Sequence, residues 1–223
     1  MDLGAGTGKL TAALLGVGPH GAGGPGAGGS GASGSGASRE VIAVDPAAEL
    51  LERIPAIAPG VETRTGTAEA TGLPDGYADA LVVGAAFHWF TRPAADAEIA
   101  RVLRPGGSVA LLWNPVDPGD PLYEPFAGLR LRLGMGRLEF DPGVELDRRW
   151  FGPTERRDFR HTAQVPVDSY AEQFASRSYV IALPPRERDE AVGAARAAAA
   201  ARARDGRLAI SYITTVLRAF RAR

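Results

Sequence analysis

The chain has 223 residues, with 25 basic and 26 acidic side chains for a formal net charge of -1, and 45% of it is hydrophobic. A near-neutral chain has no global electrostatic pull toward nucleic acid or an anionic membrane, so neither is expected as a partner. The absence of cysteine excludes disulfides and thiolate chemistry, and three histidines, at 20, 88 and 161, are too scattered for a metal cluster, so no metal is expected.

The length suits one α/β domain over residues 1–223. Its longest apolar stretch, residues 80–90, falls far short of the ~20 needed to cross a bilayer. The chain opens inside a glycine-rich motif instead of a basic and apolar leader, so a cytoplasmic protein is expected.

That opening, Met1-Asp2-Leu3-Gly4-Ala5-Gly6-Thr7-Gly8-Lys9-Leu10, places an acid before glycines at every second position. Such a turn hands a strand over to a helix, and each glycine can take φ > 0 and admit a ligand close to the backbone. The helix beginning near Gly8 aims its free N–H groups at the same spot. A phosphate-binding P-loop needs Gly and Ser or Thr where this chain has Leu3 and Leu10. A dinucleotide fingerprint needs its third glycine at Lys9.

Residues 16–38 follow, with eleven glycines and no charged side chain. Such a segment cannot bury enough surface to offset its ordering entropy and is expected to be a flexible loop. Lengthening a connection to this extent costs only ~1.5 kcal/mol by the logarithmic closure rule.

Val41-Ile42-Ala43-Val44-Asp45 reads as a buried parallel strand tipped by a carboxylate. Gly66-Thr67-Ala68-Glu69 precedes Leu73-Pro74, and Ala78-Asp79-Ala80-Leu81-Val82-Val83-Gly84 reads as a further strand running into Ala85-Ala86-Phe87-His88-Trp89-Phe90. A helix over 92–103 puts Ala95, Ile99, Val102 and Leu103 on one face, with Pro105-Gly106 ending it before a strand over 108–113. Further on, the pattern predicts a helix over 122–138 interrupted by glycines, and a strand over 155–165. A helix through residue 181 is expected to open on the capping box at Ser169, and another to span 184–204. A closing strand covers 208–220. His161 falls in a predicted edge strand and reads as structural, while His20 falls in the glycine-rich loop.

Asp-x-Gly-x-Gly-x-Gly at residues 2–8, the acid at Asp45, and Leu103-Arg104-Pro105-Gly106-Gly107 before a strand together resemble the class I S-adenosylmethionine-dependent methyltransferases. The likeness spans about residues 1–115. The Phe-His-Trp-Phe segment further resembles the subgroup of small-molecule carboxyl and natural-product methyltransferases. The resemblance implies a doubly wound, Rossmann-like α/β sheet, mostly parallel with an antiparallel last strand. It also implies a cofactor-binding half at 1–115 and a substrate-side, sheet-completing half at 116–223. Relatives have a longer strand before the motif acid and helices ahead of it, so a truncated N-terminus lacking a cap over the substrate is expected.

By the same resemblance S-adenosyl-L-methionine is the cofactor. Gly4, Ala5, Gly6 and Gly8 surround its methionine and ribose portions, and Asp2 contacts the amino group through water. Asp45, followed by Pro46, accepts hydrogen bonds from the ribose hydroxyls. Thr67, Ala68 and Glu69 flank the adenine, although many relatives carry Asp where Thr67 stands. Ala85 and Ala86 line the methionine end. For the acceptor, expected to be a small molecule, Phe87, His88, Trp89 and Asn114 are the candidates. A histidine with a pKa near ~6.5 at the open end of the sheet suits a general base, and a packed wall of the pocket is the competing role for His88. A non-catalytic, truncated cofactor-binding relative is the alternative function. An oxidoreductase lacks the glycine spacing, and a nucleic-acid methylase lacks both the charge and the Asn/Asp-Pro-Pro-aromatic motif. Neither the acceptor nor the oligomeric state can be read from the residues.

Overall fold

The computed structural model describes residues 1–16, 40–135 and 143–223. In chain order these form β1 (Asp2–Leu3), α1 (Lys9–Leu14), β2 (Ile42–Asp45), α2 (Ala48–Leu51), α3 (Ile54–Ile57), β3 (Glu62–Thr65) and β4 (Ala78–Gly84). A 3-10 turn, Phe87–Trp89, leads to α4 (Ala94–Val102) and β5 (Leu103–Trp113). The remainder is α5 (Glu124–Arg132), β6 (Glu155–Pro166), α6 (Val167–Ala175), α7 (Ser178–Ile181), α8 (Pro185–Ala200) and β7 (Arg207–Phe220).

The strands form one seven-stranded sheet in the order β3-β2-β1-β4-β5-β7-β6. β1 pairs parallel with both β2 (Asp2↔Ala43) and β4 (Asp2↔Val82), and β2–β3 and β4–β5 are also parallel. Among the described residues β7 is the one antiparallel strand; an antiparallel bridge joins its Tyr212 to Val116, and another joins Arg221, just past its end, to Phe151. The chain winds outward from β1 to β3, then returns to β4 on the other side of β1. Doubly wound sheets bind ligands at such a reversal, outside the carboxyl ends of the strands, here those of β1 and β4.

The described residues divide into two compact units. The first comprises Met1–Trp113, Val144–Arg157 and Val216–Arg223, so the substrate-side half expected after residue 115 is interleaved: two later segments return to the first unit. β2 is buried on both sides, with Ala43 and Val44, while β4 and β5 bury Leu81, Val83, Val109 and Leu111 on one face and half-bury Val82, Ala110 and Leu112 on the other, which is why the sequence reads as continuous hydrophobic runs there. Against β2 pack Ala12 of α1, Leu51 of α2, Ile54 of α3 and Ala58.

The second unit, Asn114–Gly143 and Asp158–Thr215, has a core of its own. Phe126 packs edge-on against Tyr170 at 5.7 Å between ring centres and tilted against Phe174 at 5.1 Å. Ala191, Ala195 and Ala199, spaced four apart on α8, join that core, the stripe expected of a helix that faces a core.

Several boundaries differ from the sequence expectation for local reasons. The predicted 92–103 helix ends at Val102, and Leu103 already pairs with Ala78. Between the pairs Ala78↔Leu103 and Ala80↔Ser108 the fifth strand bulges. Pro105 has no N–H for the ladder, and Gly106 turns at φ 77°. The capping box at Ser169 is not where the helix starts. α6 opens two residues earlier behind Pro166, whose φ of -59° and ψ of 146° set the entry, and it breaks before α7. The 122–138 helix contracts to a 3-10 turn, Pro121–Tyr123, and α5, and its residues 136–138 lie outside the described residues. So do residues 17–38 of the expected flexible loop, with His20. His161 lies on the sheet-edge strand β6, stacked on Tyr212 at 5.5 Å.

Candidate active site

The loop between β1 and α1 takes its shape from three alternate left-handed residues: Gly4 at φ 71°, Gly6 at 53° and Gly8 at 81°. The outer two are also demanded by packing. A Cβ on Gly4 would stand 2.6 Å from the Ala86 Cβ, and one on Gly8 would stand 2.7 Å from Ile54 Cγ1. Over Gly6, by contrast, nothing lies within 4 Å. Gly4 and Gly8 therefore seat the loop on the protein, while Gly6 faces open space a ligand can fill. Ala5 is partly buried against the Ala43–Ile54 cluster.

Asp45 holds this loop. Its Oδ2 accepts the Gly6 N–H at 2.8 Å and its Oδ1 accepts the Ala47 N–H at 2.9 Å. Its backbone carbonyl accepts the Gly66 N–H at 3.2 Å, while the Val44 carbonyl accepts those of Gly4 and Ala5. Both carboxylate oxygens thus have one protein donor each and retain lone pairs for a second. Pro46, next along, is exposed.

Asp2 is fully buried, and its Oδ2 accepts the Thr11 hydroxyl at 2.6 Å. Its Oδ1 is buried with no hydrogen-bond partner. Burial pushes the Asp2 carboxyl above the usual carboxylate range, against the pull of the Thr11 hydroxyl. An orphaned buried oxygen is costly. At the motif acid it is the acceptor an ammonium group or its bridging water would need. The open space over Gly6 and this unsatisfied oxygen both fit an S-adenosylmethionine held across the β1 and β2 tips.

The segment after β3 is built on a local turn. The Thr67 hydroxyl accepts the Ala70 N–H at 3.1 Å, so it serves its own loop, and Ala68 is buried. Glu69 does something the sequence gives no hint of: its Oε1 accepts the Thr91 N–H at 2.6 Å. Partial burial works against its ionisation, but the Thr91 and Glu69 backbone donors and the Thr67 hydroxyl outweigh this and hold its carboxyl below the usual glutamate range.

After β4 the backbone of Ala85 is left-handed, at φ 52°, and its N–H reaches the Leu112 carbonyl at 2.8 Å. Ala86 lies against Gly4. The four candidates for acceptor contact separate. Phe87 is 3% exposed, packed edge-on to Phe90 at 5.5 Å and covered by the Arg92 guanidinium at 5.5 Å, so its ring serves the core. Trp89 is 72% exposed, with His88, also exposed, tilted against it at 4.9 Å. Partial burial lowers the His88 pKa, favouring the neutral imidazole. Asn114 belongs to the second unit, where its Oδ1 accepts the Thr214 hydroxyl at 2.9 Å.

Three supports of the first unit leave little signature in the sequence. Thr11 is one; a lone hydroxyl on an otherwise apolar helix face was its signal. Another is Arg92, whose Nε donates to both carboxylate oxygens of fully buried Asp96 and whose NH2 donates to the Glu145 carbonyl at 2.6 Å. The third is Glu98, which accepts the Thr71 N–H at 2.8 Å, the Thr71 hydroxyl at 2.7 Å and the Arg101 guanidinium. Among the described residues no cluster of acids and histidines could hold a metal ion, and no helix is long and apolar enough to cross a membrane.

Residues 1–111 match a family model described as a methyltransferase domain. The chain is 34% identical to an uncharacterized methyltransferase of Mycobacterium tuberculosis, over 98% of its own length and 82% of that protein. It is 31% identical to an uncharacterized methyltransferase of Schizosaccharomyces pombe, over 85% of its own length and 69% of that protein. Among solved structures, a candidate type II methyltransferase of Anaeromyxobacter dehalogenans shares the fold at a TM-score of 0.56 and 24% identity, covering 99% of this chain and 88% of that one. The chain belongs to the class I S-adenosylmethionine-dependent methyltransferases. Its cofactor is accordingly S-adenosyl-L-methionine.

Proposed function

We propose that this methyltransferase alkylates a small organic acceptor presented at the Phe87–Trp89 turn, with His88 as general base when the acceptor is a hydroxyl. The observation that carries this reading is the placement of that turn. It leaves the carboxyl end of β4, rests on Gly4 through Ala86, and holds His88 and Trp89 outward. When bound, the cofactor supplies an electrophilic methyl group on a sulfonium that is its own leaving group.

The protein's part is position and proton management. Gly6 leaves clearance for the ligand, Asp45 offers remaining lone pairs to the ribose hydroxyls, and Asp2 Oδ1 accepts from the amino end. Ala68 and Ala85 give small surfaces at the adenine and methionine ends. Trp89 gives an acceptor a face to stack on. Neutral His88 takes the hydroxyl proton as the acceptor oxygen is alkylated, and a carboxylate acceptor needs no such step. The near-neutral charge of the chain suits a small acceptor better than nucleic acid, and a cytoplasmic location accords with this reading.

A screen of labelled cofactor against carboxylates, phenols and amines tests the proposal. For a phenol, His88→Ala should slow transfer about 10²–10⁴-fold. The wild-type rate should rise with pH through a midpoint below the ordinary ~6.5 of histidine, because burial lowers that pKa. Cofactor binding without transfer to any acceptor class, or an unchanged pH profile in the variant, would overturn it.

A further inference from the structure

Among the described residues the side chains of His88 and Trp89 have no polar partner, yet the turn bearing them is held from both flanks. On the far flank the Thr91 N–H points into the Glu69 carboxylate at 2.6 Å. Within the turn, Phe87 lies under the Arg92 guanidinium at 5.5 Å, and Arg92 is itself locked by Asp96 and the Glu145 carbonyl. Ala86, just before the turn, and Phe90, just after it, close over Gly4.

Glu69 is the only one of these supports that comes from the segment after β3. The rest of that segment is closed on itself through the Thr67–Ala70 turn and fastened to Asp45 by the Gly66 N–H. We propose that Glu69 is a positioning residue: it fixes the turn carrying His88 and Trp89 relative to the loop that flanks the adenine, instead of contacting the adenine itself. A carboxylate accepting a backbone N–H is a charge-assisted bond and among the stronger ties a loop can have. It spans 22 residues of sequence and joins the cofactor-flanking loop to the turn read above as acceptor-facing. The inference rests on that reading for its functional meaning, but the tie itself can be tested without it.

The test uses the full chain labelled with 5-fluorotryptophan, with Trp89→Phe identifying the Trp89 resonance among the three tryptophans. In ligand-free protein, Glu69→Ala should move and narrow the Trp89 signal while those of Trp113 and Trp150 stay in place, which also reports that the variant is folded. Glu69→Gln, which keeps an oxygen acceptor, should restore the wild-type position. On adding S-adenosylmethionine, the wild-type Trp89 signal should shift, whereas the Glu69→Ala protein should bind within about threefold of wild type with little Trp89 response.

An unmoved Trp89 resonance in ligand-free Glu69→Ala would overturn the proposal. So would a cofactor affinity lowered more than about tenfold with Trp89 unmoved, since that marks a direct cofactor contact. If Glu69→Ala does not fold, Glu69→Gln decides by whether its Trp89 signal coincides with wild type. Failure of wild-type protein to transfer a methyl group would instead count against the proposed function, leaving the ligand-free comparison to decide the role of Glu69.

Discussion

The three loop glycines look alike in sequence and differ in what they do. Gly8→Ala combines a left-handed backbone, about 1–2 kcal/mol for an L-residue, with a Cβ placed 2.7 Å from Ile54 Cγ1. Its denaturation midpoint should therefore fall well below that of Gly6→Ala, which meets only the backbone cost. Gly6→Ala should instead show its main defect in calorimetric titration with cofactor. Thr11→Val removes the hydroxyl donor to Asp2 Oδ2, leaving the Thr11 backbone N–H, and should cost about 1.5–3 kcal/mol, since the bond is to a charged group. Burial raises the Asp2 pKa. Losing the hydroxyl raises it further, so the penalty should shrink as pH falls and Asp2 becomes protonated. Denaturant titrations at several pH values check both the size and the sign. These distinctions were out of reach in the sequence: Asp2, Gly6 and Asp45 stood out as a pattern, but which glycine meets protein and which meets space depends on Ile54 and Ala86, far along the chain.

The elements show how far local pattern carries. β4 falls where predicted, at Ala78–Gly84, and β2 within one residue, because a buried parallel strand announces itself as an apolar run. The β5 bulge and the early start of α6 were missed because both follow from strand pairing and a proline entry that override capping preference. α4 is anchored by Glu98, whose carboxyl is held down to about 2 despite burial, by Arg101 and Thr71. A depressed carboxylate pKa adds stability that is present above the unfolded value of ~4.3 and lost as pH falls toward 2. Glu98→Gln should remove stability on the order of 2–3 kcal/mol at neutral pH and flatten the acid limb of the denaturation curve between pH 5 and 2. Acid titration followed by circular dichroism measures this.

At the scale of the molecule, the segment 216–223 belongs to the first unit. Arg221 exchanges backbone hydrogen bonds with the bulge at Gly106 and Gly107, and its guanidinium reaches the Leu103 carbonyl. Deleting residues 216–223 should therefore abolish cooperative unfolding and cofactor binding by the first unit instead of trimming an edge, as differential scanning calorimetry would reveal. The family pattern in the first half was legible because glycines that take a left-handed backbone leave a fixed spacing in the sequence. The second unit is held by apolar packing, which leaves no such spacing, and only its helices and strands could be anticipated. Asp45 gathers amides from three loops, taking N–H groups from Gly6, Ala47 and Gly66. Hydrogen bonds converging on one residue oppose the local opening that exchange requires. Deuterium should enter the Gly6 and Gly66 amides slowly even in protein stripped of nucleoside, and occupancy should slow it little further.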